Sequence, residues 1–522
     1  RLKAAIQTGP VPYFRDYLPR MLEPGLGRQG ARTVASAIQA SAGRQLIQRF
    51  PRHLREHLTG LAEGAGIPLR DVMQAFVLPD LFLWLVSLSN RKRQPGPAPL
   101  LPTSFLPTLG CSSALAMPGA TADGALLRGR NLDYMGVGYW DAEPAILFYQ
   151  PDGAMPYVSV SAAGVPFGGF TSMNAAGLTL AVHQHLSSLN VRRGGTPIGI
   201  AGDAVMRQAE TLADAVRLLD AQPPTACWTY LIASAREQAL LVYETTGQGS
   251  KWFISQAPVY GYTNFFHDRS LAARETHLYP SQWRSNLGRY RTICTELSAK
   301  QGSLTPDHIA GILGHGGGNC RLAKPLAMLY TISSAVFVPA KGLVYAASGP
   351  APVSQRPYWA FDLNLKAARP DLAPLQGGVA EPAADEAFAC YRQAYTSWFG
   401  HADSGRALQW LEKACQLMPR EPLYAYMAGL SALDSRQPDQ TVHWLNKALE
   451  LGHLDPERVA SFYLWRGRAY DCAGMRAQAR QDYLAAEASN PDLTTARSAI
   501  IGRDRPWRWR RLALEFNYAE AL

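Results

Sequence analysis

Apolar side chains recur at three- and four-residue intervals through the first ninety residues, the spacing of one buried face of a helix. A representative run is Leu46, Ile47, Phe50, Leu54 and Leu58. The pattern predicts a helical segment over residues 1–90. Residues 91–110 then hold five prolines, which predicts an extended, exposed linker that ends at Gly110.

From Cys111 the pattern changes to short apolar runs of β type, separated by Gly, Asn and Asp. Helical stretches interrupt these runs near residues 199–220 and 284–313. Strands, then helices, then strands predict an α+β layered domain over residues 111–365.

Residues 384–493 return to a helical pattern, and this pattern repeats. The spacing is that of a tetratricopeptide unit, in which small residues lie between stacked helices. The matching positions are Gly467, Tyr470, Ala479, Tyr483, Ala486 and Pro491, with Gly429 and Ala448, and then Ala407, Ala414 and Pro419, upstream. Three stacked helical hairpins are predicted, with an irregular helical bundle as the alternative. In the tail, residues 494–522, Arg and Trp alternate, which fits a capping helix with a solvated basic face or a segment on a membrane interface.

Composition excludes several classes of protein. With 522 residues, 47% hydrophobic and 18% charged, the chain is long and apolar enough for two to four domains with real cores. The net charge of +10 is concentrated in the first 110 residues, where 14 Lys and Arg stand against 6 Asp and Glu. No zinc-finger spacing, RNP motif or basic heptad accompanies that charge, so nucleic acid is not an expected partner. The seven cysteines form no CxxC pair, which argues against a disulfide framework and leaves one cysteine available for chemistry.

The most apolar segment is residues 72–90, but Pro79 and Asp80 stand near its centre. A helix breaker and a carboxylate at mid-bilayer are costly, so we expect a buried helix pair, or an apolar surface for a lipid or a partner, rather than a membrane span. The absent initial Met, the basic first segment, this apolar stretch and the Arg/Trp tail together favour the cell envelope or another membrane surface. A cytoplasmic location stays open.

Gly110-Cys111 is the candidate catalytic position. If the bond between them breaks, the α-amino group of Cys111 stands beside its own thiol and can accept the thiol proton. Small Gly110 leaves room for the thiol to attack the preceding carbonyl. A tight turn at Asp123-Gly124 would bring Arg130 and Asp133 back beside Cys111, where the guanidinium favours thiolate and the carboxylate can hold the α-ammonium. A purely structural Arg–Asp pair is the alternative.

Four motifs occur in a set order: Cys111, then GRNLDY, then MNAAGL (Met173–Leu178), then YTN (Tyr262–Asn264). Together with TISSAVFVPAKGLVYAASGPAP they resemble the isopenicillin N acyltransferase-like branch of the cysteine N-terminal nucleophile hydrolases, the group of choloylglycine hydrolase and acid ceramidase. The resemblance covers residues 1–365. It implies a four-layer αββα fold, a helical pro-segment of about a hundred residues and self-cleavage at Gly110–Cys111.

By the same resemblance, Cys111 is the nucleophile, Arg130 and Asp133 bracket it, and Asn264 stabilises the oxyanion. Arg289 matches the distal arginine, with Arg284 and Arg291 as rivals. Bile-salt hydrolases place an asparagine where Gln184 stands here, which disfavours bile salts as substrates.

Aromatic residues in the loops over 134–140 and 166–170, with Tyr134 and Phe167 among them, suggest an apolar substrate pocket shared with Gln184. His183 and His185 flank Gln184, but no third metal ligand is in view, so neither a metal nor another cofactor is expected.

The resulting hypothesis is a self-processing enzyme that hydrolyses a linear N-acyl amide, or transfers its acyl group, through a thioester on Cys111. The substrate is expected to be an amphiphilic N-acyl amide, with a protein partner on the repeats and a peripheral membrane contact as further options. The alternative is a tetratricopeptide interaction scaffold with a degenerate enzyme domain.

Overall fold

The computed structural model describes residues 2–91, 110–165, 168–185, 191–192, 194–275, 280–316, 326–378, 381–489 and 494–509. The first range is helical. Its helices are α1 (Leu2–Thr8), α2 (Pro10–Ile38), α3 (Arg44–Ile47), α4 (Arg52–Ala65) and α5 (Leu69–Arg91), with a π-helical turn at Gln39–Gly43. Residues 92–109 of the predicted linker lie outside the described residues.

Fourteen strands of the described chain form two antiparallel sheets of seven. The first sheet has the order β10-β1-β2-β11-β12-β13-β14, and the second runs from β3 to β9 in sequence order. The strands are β1 (Gly110–Ala116), β2 (Leu127–Asp133), β3 (Pro144–Tyr149), β4 (Tyr157–Ala162), β5 (Thr171–Asn174), β6 (Leu178–Gln184), β7 (Trp228–Ser234), β8 (Ala239–Thr246), β9 (Gly249–Ser255), β10 (Val259–Tyr262), β11 (Thr331–Val338), β12 (Leu343–Ala347), β13 (Tyr358–Asp362) and β14 (Ala367–Ala368).

The two sheets stack face to face. Leu115 of the first sheet shares a buried cluster with Leu231 of the second, and Phe337 shares another with Val158. Helices α6 (Ile198–Gln208) and α7 (Leu212–Asp220) pack on the second sheet, while α9 (Pro280–Ala299) and α10 (Pro306–Leu313) pack on the first; the short α8 (Arg269–Ala272) precedes α9. This is the predicted four-layer αββα arrangement, and the predicted fold class is confirmed.

The C-terminal part of the described chain is all-helical. Its helices are α11 (Pro382–His401), α12 (Ser404–Leu417), α13 (Pro422–Asp434), α14 (Pro438–Leu451), α15 (Pro456–Cys472), α16 (Arg476–Ser489) and α17 (Thr494–Asp504). Consecutive helices pack as hairpins. A Cβ on Gly429 would lie 2.9 Å from Leu445, and one on Gly467 would lie 2.9 Å from Tyr483. The predicted repeat glycines therefore stand where a side chain of the facing helix leaves no room for a Cβ.

The repeat helices are fastened to the rest of the chain. The hydroxyls of Tyr13 on α2 and Tyr395 on α11 are 2.8 Å apart, and Arg356 forms a bidentate ion pair with Asp385 at the start of α11. At the far end, the Trp507 amide donates to Asp471 at 2.7 Å. Residues 510–522 of the predicted tail lie outside the described residues. Across the described helices, none has the length and apolar character that a membrane crossing requires.

Candidate active site

Cys111 lies in the second position of β1, the strand next to the edge strand β10 of the first sheet. Its strand pairs with β2 and β10, and Cys111 stands opposite Leu132. The residue is buried, and its Sγ lies 3.5 Å from Nη2 of Arg130. The thiol and the guanidinium therefore meet inside the molecule, as the sequence predicts.

Arg130 is held rigidly beside that thiol. Its Nη1 donates to the Phe170 carbonyl at 2.6 Å and to the Thr171 hydroxyl, and its Nη2 donates to the Val182 carbonyl at 2.6 Å. These acceptors belong to the second sheet and the loop before it. Arg130 thus joins the two sheets at the nucleophile, and its charge has a fixed position.

The surroundings of the Cys111 thiol favour its protonated form. Burial raises the pKa of this thiol above its ordinary value, and the nearby Arg130 opposes that rise only in part. We expected from the sequence that Arg130 would favour the thiolate; its effect has that sign, but burial outweighs it. Activation therefore calls for a base beside the thiol, which is the role that a freed α-amino group would fill.

Asp133 stands directly opposite Gly110 in the β1–β2 pairing. Its Oδ1 accepts from the Thr331 hydroxyl at 2.6 Å, whereas its Oδ2 has no hydrogen-bond partner among the described residues. Burial raises the pKa of this carboxyl, and Arg289 and Thr331 counteract the rise. This oxygen lies 3.2 Å from the place that a Cβ on Gly110 would occupy, so it is close to the residue before the bond that is predicted to break.

Gly110 has a steric reason to be glycine. A Cβ at this position would lie 3.2 Å from Asp133 Oδ2 and 3.2 Å from Arg289 Nη2. Both groups are buried and held by hydrogen bonds, so neither yields easily. Any larger residue would press on the two charged groups of the site.

Asn264 follows β10 and contacts the backbone of the nucleophile. Its Oδ1 accepts from the Cys111 amide at 2.8 Å and from Arg289 Nη2 at 3.1 Å, and its Nδ2 donates to the Gln184 carbonyl at 2.8 Å. If the Asn264 side-chain amide were turned over, its NH2 group would face the Cys111 N–H and the Arg289 N–H. These contacts therefore fix the orientation of the Asn264 side chain. One of the two Nδ2 hydrogens stays available for an oxyanion.

Of the three candidates for the distal arginine, Arg289 is the one that contacts the residues around Cys111. It is buried on α9, where Nη1 donates to the Cys111 carbonyl and the Ser112 hydroxyl, both at 2.9 Å. Of its rivals, Arg284 pairs instead with Asp455 and Glu457 of the repeat helices, and Arg291 is exposed.

The three predicted substrate-binding residues have different surroundings. Gln184 is buried at the end of β6, where its Nε2 donates to the Pro79 carbonyl at 3.3 Å and its Oε1 has no hydrogen-bond partner among the described residues. Tyr134 is buried just after β2, with its ring edge-to-face against Phe14 at 6.2 Å. Phe167 lies outside the described residues.

The two histidines beside Gln184 belong to the interior between the sheets. His183 Nε2 lies 2.8 Å from the Ser113 hydroxyl, and His185 lies between Thr229 and Glu275. Burial lowers the pKa of His183 well below its ordinary value, so this ring is neutral. Among the described residues, no group of three His, Cys, Asp or Glu side chains is arranged to hold a metal ion.

Sequence reasoning missed several contacts of the site. Asn286 accepts from Arg289 Nη2 at 2.6 Å, Thr331 holds Asp133, and Pro79 reaches Gln184. Asn286 lies one helical turn before Arg289. This spacing is the one feature of the sequence from which the contact could have been predicted. From the sequence, Pro79 and Asp80 only disfavour a membrane span for the apolar segment, and no contact with the site is predicted for them.

A cleft of about 620 Å³ lies between the N-terminal helices and the second sheet. Its apolar walls include Leu2, Ile6, Leu54, Leu61, Phe76, Ala145 and Leu147. His53 and Tyr157 contact Asp203 at one part of the wall, at 3.1 and 2.5 Å. Gly168 also lines the cleft, two residues before the Phe170 carbonyl that holds Arg130. The cleft thus shares a loop with the site and is walled by both predicted pieces of the chain.

Comparison with known proteins supports the resemblance. The family model "Acyl-coenzyme A:6-aminopenicillanic acid acyl-transferase" matches residues 120–305. An uncharacterized protein of Archaeoglobus fulgidus is 27% identical over 223 residues, which are 42% of this chain and 35% of that protein. The chain thus spans about a third of the length of this relative. The resemblance to the acyltransferase branch of the N-terminal nucleophile hydrolases is confirmed.

Two solved structures are similar in parts. A variant of the conjugated bile acid hydrolase from Clostridium perfringens is 14% identical, with a TM-score of 0.34 over 52% of this chain and 99% of that one. The N-terminal domain of stress-induced protein-1 from C. elegans is 17% identical, with a TM-score of 0.22 over 23% of this chain and 98% of that one.

Proposed function

We propose that this chain is a self-processing cysteine enzyme of the N-terminal nucleophile type, which cleaves or transfers the acyl group of a linear N-acyl amide. The observation that carries the proposal is the convergence of Arg130, Asp133, Asn264 and Arg289 on Gly110–Cys111. Similarity to the acyltransferase family supports an N-terminal nucleophile type of function; the thioester and the substrate are our inference.

The first reaction is the cleavage of the chain by itself. The Cys111 sulfur attacks the Gly110 carbonyl, the bond to the Cys111 nitrogen breaks, and that nitrogen takes the thiol proton. Water then hydrolyses the thioester, which gives a carboxylate on Gly110 and a free α-amine and thiol on Cys111. Asn264 Oδ1, which accepts from the Cys111 amide, would accept from the freed amine, and Asp133 Oδ2 would take up a further hydrogen when that amine becomes protonated during turnover.

Turnover repeats the same chemistry on an external amide. The freed α-amine takes the thiol proton, the sulfur attacks the acyl carbonyl, and an Asn264 N–H stabilises the oxyanion. The α-ammonium then gives its proton to the leaving amine, and a thioester stays on Cys111. Water as acceptor makes the enzyme a hydrolase, and an amine as acceptor makes it an acyltransferase.

We take the apolar cleft as the candidate site for a long acyl chain, because Gly168 in its wall belongs to the loop whose Phe170 carbonyl accepts from Arg130. Each buried methylene contributes about 0.8 kcal/mol, which is close to fourfold in kcat/KM. Activity should therefore rise with acyl length in a series of N-acyl amides from two carbons upward. A flat or falling series would contradict the lipid-amide substrate while leaving Cys111 as the nucleophile. A location at the cell envelope fits an amphiphilic substrate, and cell fractionation with an antibody tests it.

Intact mass spectrometry tests the function as a whole. Self-cleavage yields pieces of 110 and 412 residues from the 522-residue chain, and Cys111→Ala should leave one uncut chain. Cutting of Cys111→Ala at the same bond would refute self-processing. If the natural sequence gives only the mass of the uncut 522-residue chain, the scaffold alternative is favoured.

A further inference from the structure

The helix α5 carries a carboxylate deep into the catalytic domain. Asp80 is 1% exposed. It accepts hydrogen bonds from the Ile198 amide at 3.1 Å, from the Trp228 indole at 3.2 Å and from the Thr225 hydroxyl. Ile198 is the first residue of α6, so the start of that helix and strand β7 are both tied to the N-terminal segment.

The neighbouring residue on α5 reaches the nucleophile through a chain of hydrogen bonds. The Pro79 carbonyl accepts from the Gln184 side chain at 3.3 Å. The Gln184 carbonyl accepts from Asn264 Nδ2, and Asn264 Oδ1 accepts from the Cys111 amide, both at 2.8 Å. The Gln184 side chain therefore contacts the N-terminal segment, and the Gln184 backbone carbonyl contacts Asn264, the residue that would stabilise the oxyanion.

We propose that the Pro79–Asp80 step of α5 is a positioning element of the active site, so that the N-terminal segment must stay docked after cleavage for turnover. Asp80 anchors the step between α6 and β7, and Pro79 holds Gln184 in place behind Asn264. This role rests on the proposed function.

Because Asp80 can ionise, the docking of α5 should depend on pH. All three groups that bond to it are uncharged, and its titratable neighbours are the buried phenols of Tyr134 and Tyr230. Burial therefore outweighs the hydrogen bonds and raises the pKa of Asp80 from 3.8 to about 6. A raised folded pKa means that the stabilisation is complete below pH 3.8 and is lost as the pH rises through 6. Docking of α5 should weaken by up to about 100-fold over that interval.

Asp80→Asn is the sharpest variant, because it keeps the size of the side chain and removes the titration. Hydrogen exchange of the α5 amides, corrected for intrinsic rates, measures docking in the full chain whether or not it is cut. In the natural sequence, protection should fall between pH 4 and pH 7, while Asp80→Asn should show no such fall. Glu63→Gln, an exposed acid on α4 of the same segment, is the matched control and should behave like the natural sequence. An equal fall in Asp80→Asn would overturn the assignment of the carboxylate.

Kinetics test the positioning role separately. Asp80→Ala removes the anchor and should lower kcat about tenfold or more, with a smaller change in KM; Asp80→Asn keeps one accepting oxygen for Thr225 and Trp228 and should recover part of the lost kcat. An unchanged kcat in Asp80→Ala would refute the positioning role. If no N-acyl amide is turned over by any form, the rate of Cys111 alkylation by iodoacetamide replaces kcat. A changed rate in Asp80→Ala would then support the positioning role while the proposed substrate fails, and an unchanged rate would refute it.

Discussion

Arg289→Lys is the most informative change to the site, because Arg289 has more contacts there than one ammonium group can replace. Its two terminal nitrogens donate to four acceptors: the Cys111 carbonyl at 2.9 Å, the Ser112 hydroxyl at 2.9 Å, Asn264 at 3.1 Å and Asn286 at 2.6 Å. A lysine keeps a charge but offers three hydrogens from one point. At least one buried acceptor must lose its donor.

The size of the effect follows from that count. A hydrogen bond to a charged group contributes about 1.5–3 kcal/mol, so losing one should slow self-cleavage by about 10- to 150-fold. The assay is the half-time for the appearance of the two pieces after refolding, read by intact mass. Turnover of an N-acyl amide by the fraction that does become cut gives a second measurement.

Arg284→Lys is the matched control on the same helix. Arg284 is half-exposed and pairs with Asp455 and Glu457, away from Cys111. Exposed ion pairs contribute about 0–1 kcal/mol, so cleavage should stay within about twofold of the natural rate. The reasoning is refuted if Arg289→Lys cleaves at the natural rate, or if both variants are slowed equally.

Three further predictions concern the thiol, the core of the site and the cleft. Because burial raises the pKa of Cys111 above its ordinary value of 9.0, the logarithm of the cleavage rate should rise with pH with a slope of about one from pH 6 to 9; a flat profile would contradict this. Asn131→Ala strips the donor from the Leu313 and Leu326 carbonyls, and in the Cys111→Ala chain it should lower the free energy of unfolding by about 3 kcal/mol or more, measured with urea; a loss near zero would refute that. Ala145→Trp fills the apolar cleft and should shift the preferred acyl length downward, and an unchanged preference would exclude the cleft as the acyl site.

The sequence predicted the parts of the site that are adjacent in the chain or that lie in fixed motifs. Gly110, Cys111, Arg130 and Asp133 belong to one hairpin, and strand pairing alone brings them together. The fold class followed from the change of hydrophobic period at Cys111. The resemblance pointed to Arg289 but left Arg284 and Arg291 as rivals, because which face of α9 meets β1 depends on packing between distant segments.

The role of Pro79 and Asp80 could not be predicted from the sequence for the same reason. A proline and an acid in an apolar helix exclude a bilayer, but they do not say which buried donors receive the carboxylate. Those donors come from residues 198, 225 and 228, more than a hundred positions away. The only sign in the sequence was an acidic residue within an apolar helix. A buried carboxylate needs hydrogen-bond donors, and these often come from another segment of the chain.

The tight space around Gly110 also limits which compounds the site accepts. In the proposed reaction the Gly110 peptide bond is the first substrate, and a carbon added to the α-carbon of Gly110 would meet Asp133 and Arg289 at 3.2 Å. An external acyl group must place its own carbonyl where that of Gly110 stood. On that proposal, a branch on the carbon beside the carbonyl would meet the same two charged groups, so the site should favour straight-chain acyl donors over branched ones.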